Sequence, residues 1–242
     1  MDPGATSSTQ VTSFSRLSLG DLPFALPQAV ALPFDIHEPA DADFERYGIA
    51  CPPSVARSVT RRKVEFLAGR RCALEALHEQ GAPVEDLPIG PDRAPVWPPG
   101  FLGSITHTDG LAAAVTVRSQ GLRGIGIDIE RIPNASGLEA LRSTVLVDAE
   151  HGAVERLADA IGWPMALTLV FSAKESVYKA AAKAAGRMFD FNAVEVLGMT
   201  GDGLLDIVLA LDLSPDLTRG RHMKVSISHL DARTLMTACA WC

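Results

Sequence analysis

The hexapeptide Ser104-Ile105-Thr106-His107-Thr108-Asp109 returns in altered form as Ser226-Ile227-Ser228-His229-Leu230-Asp231. Each copy precedes a β-like run of small residues and follows a helical stretch marked by an aromatic, Phe66-Leu67-Ala68 in one case and Phe171-Ser172-Ala173 in the other. A true repeat shapes the whole fold, and the competing reading is a chance match between two hairpins. Duplication predicts an α+β protein of two similar α/β halves, with a ligand cleft between them and a boundary near Arg123. Residues 1–20, rich in Ser, Thr and Gly, then form a flexible leader, 21–123 an N-terminal half and 124–242 a C-terminal half.

Local patterns fill in the halves. Apolar residues at helical spacing from Val55 to His78, followed by Gly81 and Pro83, predict a helix with a normal stop. A Pro-rich loop, Pro88 to Pro99, leads to a hairpin formed by Gly103 to His107, a turn at Asp109-Gly110, and Leu111 to Val117. Gly124 to Glu130 alternates as a strand does, Leu138 to Leu157 and Phe171 to Ala185 read as helices, and Ala193 to Leu213 and Met223 to Trp241 read as strands and hairpins.

Composition excludes several classes. With 22 Lys+Arg against 29 Asp+Glu the net charge is −7, so nothing draws the chain as a whole to nucleic acid or an anionic membrane, and any anionic ligand must be held locally. The N-terminus has neither the basic start nor the apolar core of a signal peptide, and no run nears the roughly 18 apolar residues of a membrane span, so a cytoplasmic protein is expected. Cys239 and Cys242 form a C-x-x-C, but one such pair is half of a zinc site, and Leu235 to Cys242 reads better as a buried last strand.

In Gly124-Ile125-Gly126-Ile127-Asp128-Ile129-Glu130 the period of two sends the isoleucines to one face and the glycines, Asp128 and Glu130 to the other. Two carboxylates on one face repel unless a cation lies between them, and the glycines promise open space beside them. In Phe171-Ser172-Ala173-Lys174-Glu175-Ser176-Val177-Tyr178-Lys179 the sequence reads structurally as a helix start, with Ser172-x-x-Glu175 a capping box and Glu175 paired with Lys179. Functionally it places a carboxylate beside a helix N-terminus between two lysines, a design that holds a metal next to a phosphate.

Arg57, Arg61, Arg62, Lys63, Arg70 and Arg71 crowd one helix with only Glu65 to offset them. Arg62 and Arg70 lie eight residues apart, nearly on one face, and could clamp a chain of phosphates with His107 nearby. Neither a P-loop nor a G-x-G-x-x-G fingerprint is present, so the residues themselves point to Mg²⁺-assisted chemistry at a pyrophosphate.

These segments resemble the 4′-phosphopantetheinyl transferase superfamily, in its enterobactin synthetase component D-like branch. Gly126 to Glu130 is similar to the family's G-[IV]-D-x-E strand and Phe171 to Lys179 to its [FW]-[SC]-x-K-E-[SA]-x-x-K helix. Arg62 to Arg70 resembles R-x-x-E-F-x-x-G-R, and Arg93-Ala94-Pro95-Val96-Trp97-Pro98 with Gly103 to His107 resembles P-x-W-P…G-S-[IL]-[ST]-H. The resemblance implies two similar α+β halves and a transfer reaction, in which coenzyme A gives its phosphopantetheine arm to a serine of an apo acyl or peptidyl carrier protein and adenosine 3′,5′-bisphosphate leaves. Asp128, Glu130 and Glu175 would hold Mg²⁺, with Mn²⁺ as a substitute. Arg62, Arg70, His107 and Lys174 would contact coenzyme A, with Ser104 and Arg93 as further candidates.

Glu175 would also be the general base, and Lys179 would neutralise the pyrophosphate as its bond breaks. The implied enzyme is a monomer that meets its carrier through Leu138 to Leu157. Carriers of this kind serve fatty-acid, polyketide and nonribosomal-peptide synthesis, siderophores and other secondary metabolites included, and these residues do not choose among them. Two alternatives use the same residues: an Mg²⁺-dependent phosphodiesterase or pyrophosphatase acting on coenzyme A or a nucleotide, and a coenzyme A or carrier-binding module.

Overall fold

The computed structural model describes residues 13–38, 40–82, 84–90 and 93–242. Most of the expected leader, Pro83 and two residues of the Pro-rich loop therefore lie outside the described residues. The first part of the chain contributes β1 (Ser15–Leu17), β2 (Ala29–Pro33), the short helices α1 (Asp41–Arg46) and α2 (Pro53–Ala56), the long helix α3 (Thr60–Glu79), β3 (Phe101–Thr108) and β4 (Leu111–Arg118). Its four strands form one antiparallel sheet, ordered β1-β2-β4-β3.

The second part begins with β5 (Gly124–Arg131), followed by α4 (Ala135–Val145), a 3₁₀ turn Asp148–Glu150, α5 (His151–Ile161) and the long helix α6 (Trp163–Ala185). A second 3₁₀ turn, Phe191–Ala193, leads to β6 (Val194–Met199), β7 (Leu205–Leu209), β8 (His222–His229) and β9 (Thr234–Trp241), which join β5 in the order β5-β9-β8-β7-β6. The run β2, α3, β3, β4 thus has a counterpart in β5, α6, β8, β9, and the strand orders β2-β4-β3 and β5-β9-β8 correspond. The duplicated hexapeptide marks the same strand of each set, β3 and β8. The second set carries α4, α5 and the β6-β7 hairpin as additions.

Three apolar clusters hold these layers. One lies between α3 and the first sheet (Val30, Leu32, Leu67, Cys72, Leu77, Ala114) and a second between α5, α6 and the second sheet (Val154, Val170, Val177, Ile207, Val225). The third joins the sheets, with Ala29, Ala31, Ala113 and Val115 facing Ile125, Ile127, Ile129 and Ala238. The alternating isoleucines of β5 therefore seal the space between the halves, and apolar contact closes the middle of the expected cleft.

Three expectations are corrected. Residues 13–20 are not a loose leader: Ser15–Leu17 pairs with β2, Leu19 is buried, and Ser226 and Ser228 donate their hydroxyls to the carbonyls of Leu19 and Ser18. The Ser-rich composition hides an apolar series, Phe14, Leu17 and Leu19, too short to register as a pattern. The glycines of β5 leave no open space either, because a Cβ on Gly126 would stand 2.0 Å from the Ser176 carbonyl and one on Gly124 2.0 Å from that of Ala180. Finally, α6 begins at Trp163 and not at Phe171. As expected, the last strand buries Cys239, and all four cysteines are free.

Candidate active site

On α3, Arg62, Phe66, Gly69 and Arg70 fall at i, i+4, i+7 and i+8, one stripe of the helix. Gly69 lets this stripe approach β3, since a Cβ there would lie 2.9 Å from Ile105. The odd positions of β3, Ile105 and His107, face the stripe, and with Arg93, Pro95 and Ile89 they line an open groove of about 480 Å³. Arg62, Arg70, Arg93 and His107 are thus gathered as expected. Trp97 crosses Gly103, where a Cβ would meet its ring at 2.6 Å, which explains why the loop and strand motifs need each other.

The groove is built for an anion. Arg70 is only 4% exposed, its guanidinium lies 4.9 Å from the Phe66 ring centroid, and its Nη1 has no hydrogen-bond partner. Burial lowers its pKa to about 10, with Asp86 opposing and Arg62 adding to the shift, so it stays cationic at neutral pH. An orphaned buried N–H costs stability unless a ligand meets it. His107 Nε2 lies 3.4 Å from Arg62 Nη1, and burial lowers the pKa of the ring, with Glu65 opposing and Arg62 adding, which favours the neutral ring. Glu65, which sequence reasoning treated as a mere offset, is buried, accepts from Arg61 Nε at 2.8 Å and lies 3.9 Å from His107. The four-residue spacing from Arg61 to Glu65 was the signal for it.

The even positions of β3 turn to β5 instead. Ser104 Oγ accepts from Ile127 N–H at 3.0 Å, and Thr106 Oγ1 accepts from Ile129 N–H at 3.0 Å while reaching Asp128 Oδ1 at 3.2 Å. Ser104 is therefore a tie between strands outside the groove lining, and its expected phosphate contact is corrected. Thr106 went unnoticed in the sequence, although two-residue spacing from Ser104 puts it on the same face.

Asp128 is 4% exposed. Its Oδ1 accepts from Lys179 Nζ at 2.6 Å, and its Oδ2 has no partner. Gly124 and Gly126 let α6 settle onto β5, which sets Glu175 and Lys179 beside Asp128. Burial pushes Glu130 up to about 8, helped by the charges of Asp128 and Glu175 and opposed by Lys179. Burial likewise raises Glu175, with Lys179 opposing and Asp128 adding. Three carboxylates thus share one neighbourhood, although among the described residues no three acidic, His or Cys side chains stand close enough to form a finished metal cage. One orphaned carboxylate oxygen flanked by two carboxyls that resist ionisation fits a divalent cation whose remaining ligands come from a phosphate. Beside Glu175 a mostly apolar cavity of about 270 Å³ is lined by Lys174, Tyr178, Met188, Phe189, Asp190, Phe191 and Val194.

Two readings of α6 are corrected here. Ser172 and Glu175 lie in the third and fourth turns of the helix, so Ser172 caps nothing and Glu175 is not at an N-terminus. Ser172 is buried, bonded to Thr237 and to the Asp128 carbonyl. Lys174 does not offer its ammonium to coenzyme A: that group is enclosed and donates to Glu150, Val145 O and Phe191 O, although the residue also lines the cavity beside Glu175.

β3 links the groove to the carboxylates: His107 lines the groove while its neighbour Thr106 reaches Asp128. No helix among the described residues is long and apolar enough to cross a membrane. Residues 52–117 match the model of the 4′-phosphopantetheinyl transferase N-terminal domain, and residues 124–214 that of the 4′-phosphopantetheinyl transferase superfamily. The chain is 46% identical over 121 residues to enterobactin synthase component D of Escherichia coli O157:H7, covering 50% of this chain and 55% of that one. It is 34% identical over 152 residues to the 4′-phosphopantetheinyl transferase Npt of Nocardia iowensis, covering 63% and 66%. To the transferase PptT of Mycobacterium tuberculosis it is 36% identical over 129 residues, covering 53% and 55%. The matched stretch spans about half the length of the first of these relatives and under two thirds of the second. Two models of one family, matched in order across most of the chain and meeting at the groove and the carboxylates, place this chain in the 4′-phosphopantetheinyl transferase superfamily.

Proposed function

We propose that the protein transfers the 4′-phosphopantetheine arm of coenzyme A to a serine of an apo acyl or peptidyl carrier protein, releasing adenosine 3′,5′-bisphosphate. Two observations together carry this reading: a buried guanidinium N–H without a partner in the arginine groove, and a buried carboxylate oxygen without a partner on β5. The first calls for an anion and the second for a cation. A coenzyme A diphosphate bridged by a divalent metal answers both.

Arg62, Arg70, Arg93 and His107 would bind the phosphates of the adenosine portion, and the apolar cavity beside Glu175 leaves room for uncharged donor atoms. Asp128, Glu130 and Glu175 would hold Mg²⁺, which supplies positive charge at the diphosphate when bound. In the transfer, the carrier serine oxygen bonds to the pantetheine-bearing phosphorus, the P–O bond to the nucleotide breaks, and the serine proton passes to the Glu175 carboxylate. Burial raises the proton affinity of Glu175, with Lys179 opposing. Lys179, held beside Asp128, adds positive charge where the leaving group develops negative charge. All the groups named lie on one chain, and the protein is proposed to act as a monomer in the cytoplasm.

The test is to incubate an apo carrier with coenzyme A, Mg²⁺ and the protein and weigh the carrier. A gain of one phosphopantetheine arm is expected. Coenzyme A consumed with the carrier unchanged would instead establish a hydrolase, and neither change a binding module.

A further inference from the structure

Lys174 adjoins Glu175 in sequence and lines the cavity beside it, yet its ammonium is fully enclosed. Nζ donates to Glu150 Oε1 at 2.7 Å, to Val145 O at 2.9 Å and to Phe191 O at 3.2 Å, which uses all three of its N–H bonds. Glu150 is as fully enclosed: Oε1 also accepts from Val147 N–H at 3.0 Å and Oε2 from Val196 N–H at 2.9 Å. One pair thereby ties α6 to the end of α4, to both 3₁₀ turns and to β6.

A buried ion pair adds little net stability over apolar side chains of the same volume, because desolvation offsets the attraction. What it does supply is geometry. Positions 174 and 176 lie roughly 200° apart around the helix, so Lys174 grips one side of α6 while Ser176 and Ala180 rest on the glycines of β5 on the other. Glu175 projects between these two grips. Turning or sliding α6 by part of a turn would break bonds on both sides. The three carboxylates form no finished cage among the described residues, so small changes in the placement of Glu175 decide whether they can close on one ion.

From this geometry we infer that the buried Lys174–Glu150 pair is a positioning device for Glu175, holding it against Asp128 and Glu130 for a shared divalent cation. The inference rests on the carboxylate assignment proposed above. Its test compares wild type with the double variant Lys174→Met/Glu150→Leu, which removes both charges and keeps the bulk. Melting temperature, Mn²⁺ binding by electron paramagnetic resonance and transfer kinetics are measured on each. The double variant, which leaves Val145 O, Phe191 O, Val147 N–H and Val196 N–H without their partners, should melt below wild type yet stay folded at the assay temperature, where it should bind Mn²⁺ at least tenfold more weakly and lose at least tenfold in kcat, with a smaller change in KM for coenzyme A because the arginine groove lies on α3.

Wild-type Mn²⁺ affinity in a folded double variant would overturn the inference, as would a wild-type protein that binds no Mn²⁺. If the double variant does not fold, Glu150→Gln, which keeps the shape, is put through the same measurements with the same split expected, and its failure to fold would reduce the pair to a stability element and overturn the inference too. Absence of transfer by the wild type would overturn the proposed function alone, since the Mn²⁺ comparison still decides the positioning role.

Discussion

The strands that carry the duplicated hexapeptide, β3 and β8, do the same mechanical work with different outcomes. On β8, Ser226 and Ser228 donate to the carbonyls of Leu19 and Ser18, and His229 stands exposed. On β3, Ser104 and Thr106 accept from the N–H groups of Ile127 and Ile129, and His107 lines the groove. In both, hydroxyls two residues apart stitch the strand to the other half. The chemistry comes from what lies opposite: β5 presents Asp128 and Glu130 beside the N–H groups it offers, whereas residues 18 and 19 present only carbonyls. A repeat can therefore specify a seam twice and a site once.

The largest test of that asymmetry is Glu175→Gln, which keeps the shape of the side chain and removes the base. Transfer should fall by roughly 100-fold or more, the usual scale for a general base, while coenzyme A still binds measurably by calorimetry. Near-normal turnover would return the hydrolase and binding-module readings to consideration. Second comes Arg70→Ala. Its partnerless Nη1 is proposed to grip a phosphate that stays ionised throughout, so KM for coenzyme A should rise by an amount worth about 1.5 to 3 kcal/mol, with a smaller change in kcat. A loss confined to kcat would move the phosphate elsewhere.

A third pair of variants compares the seams themselves. Thr106→Val leaves the buried Ile129 N–H without an acceptor and Asp128 short of a donor, so it should cost about 1 to 3 kcal/mol in denaturant unfolding and also weaken metal dependence. Ser228→Ala frees a carbonyl that water can reach and should cost about 0.5 to 1 kcal/mol with transfer unchanged. Equal effects on both stability and transfer would mean that the two seams are not functionally distinct. The same geometry separates the two strand carboxylates. Asp128→Ala leaves Lys179 and Thr106 without their shared acceptor and should lower metal-free stability. Glu130→Ala removes a charge that its neighbours oppose and should leave metal-free stability level or raised.

Much of this was legible wherever the relevant physics is local. Alternation fixed the faces of β5, and helical spacing brought Arg62 and Arg70 onto one stripe that also meets His107 across a hairpin. The start of α6 was misplaced because Trp163 to Val170 is apolar nearly all round and offers no period, although Gly162 and Pro164 form a start signal. The roles of Ser104, Lys174 and Glu150 were not legible at all. Each depends on a partner brought from more than twenty residues away, and nothing in a lysine's neighbours announces that its ammonium will be buried.

The smallest expected effect concerns His107, the histidine of the groove-lining copy of the hexapeptide, and is read through pH. Burial lowers the His107 pKa below 6.5, the positive charges of Arg62 and Lys179 push the same way, and Glu65 and Asp128 oppose them. The folded state therefore holds a neutral ring more readily than the unfolded chain does. Between the lowered pKa and 6.5 the unfolded state binds more protons, so stability rises with pH across that window. The full contribution is present above 6.5 and is lost as pH falls toward the folded value. His107→Gln, which cannot be protonated, should accordingly lose less stability than wild type between pH 7.5 and pH 5.5 in denaturant titrations. A His107→Gln curve parallel to wild type across that interval would show that the ring is not held neutral, and Arg62 would then have to find its acceptor elsewhere.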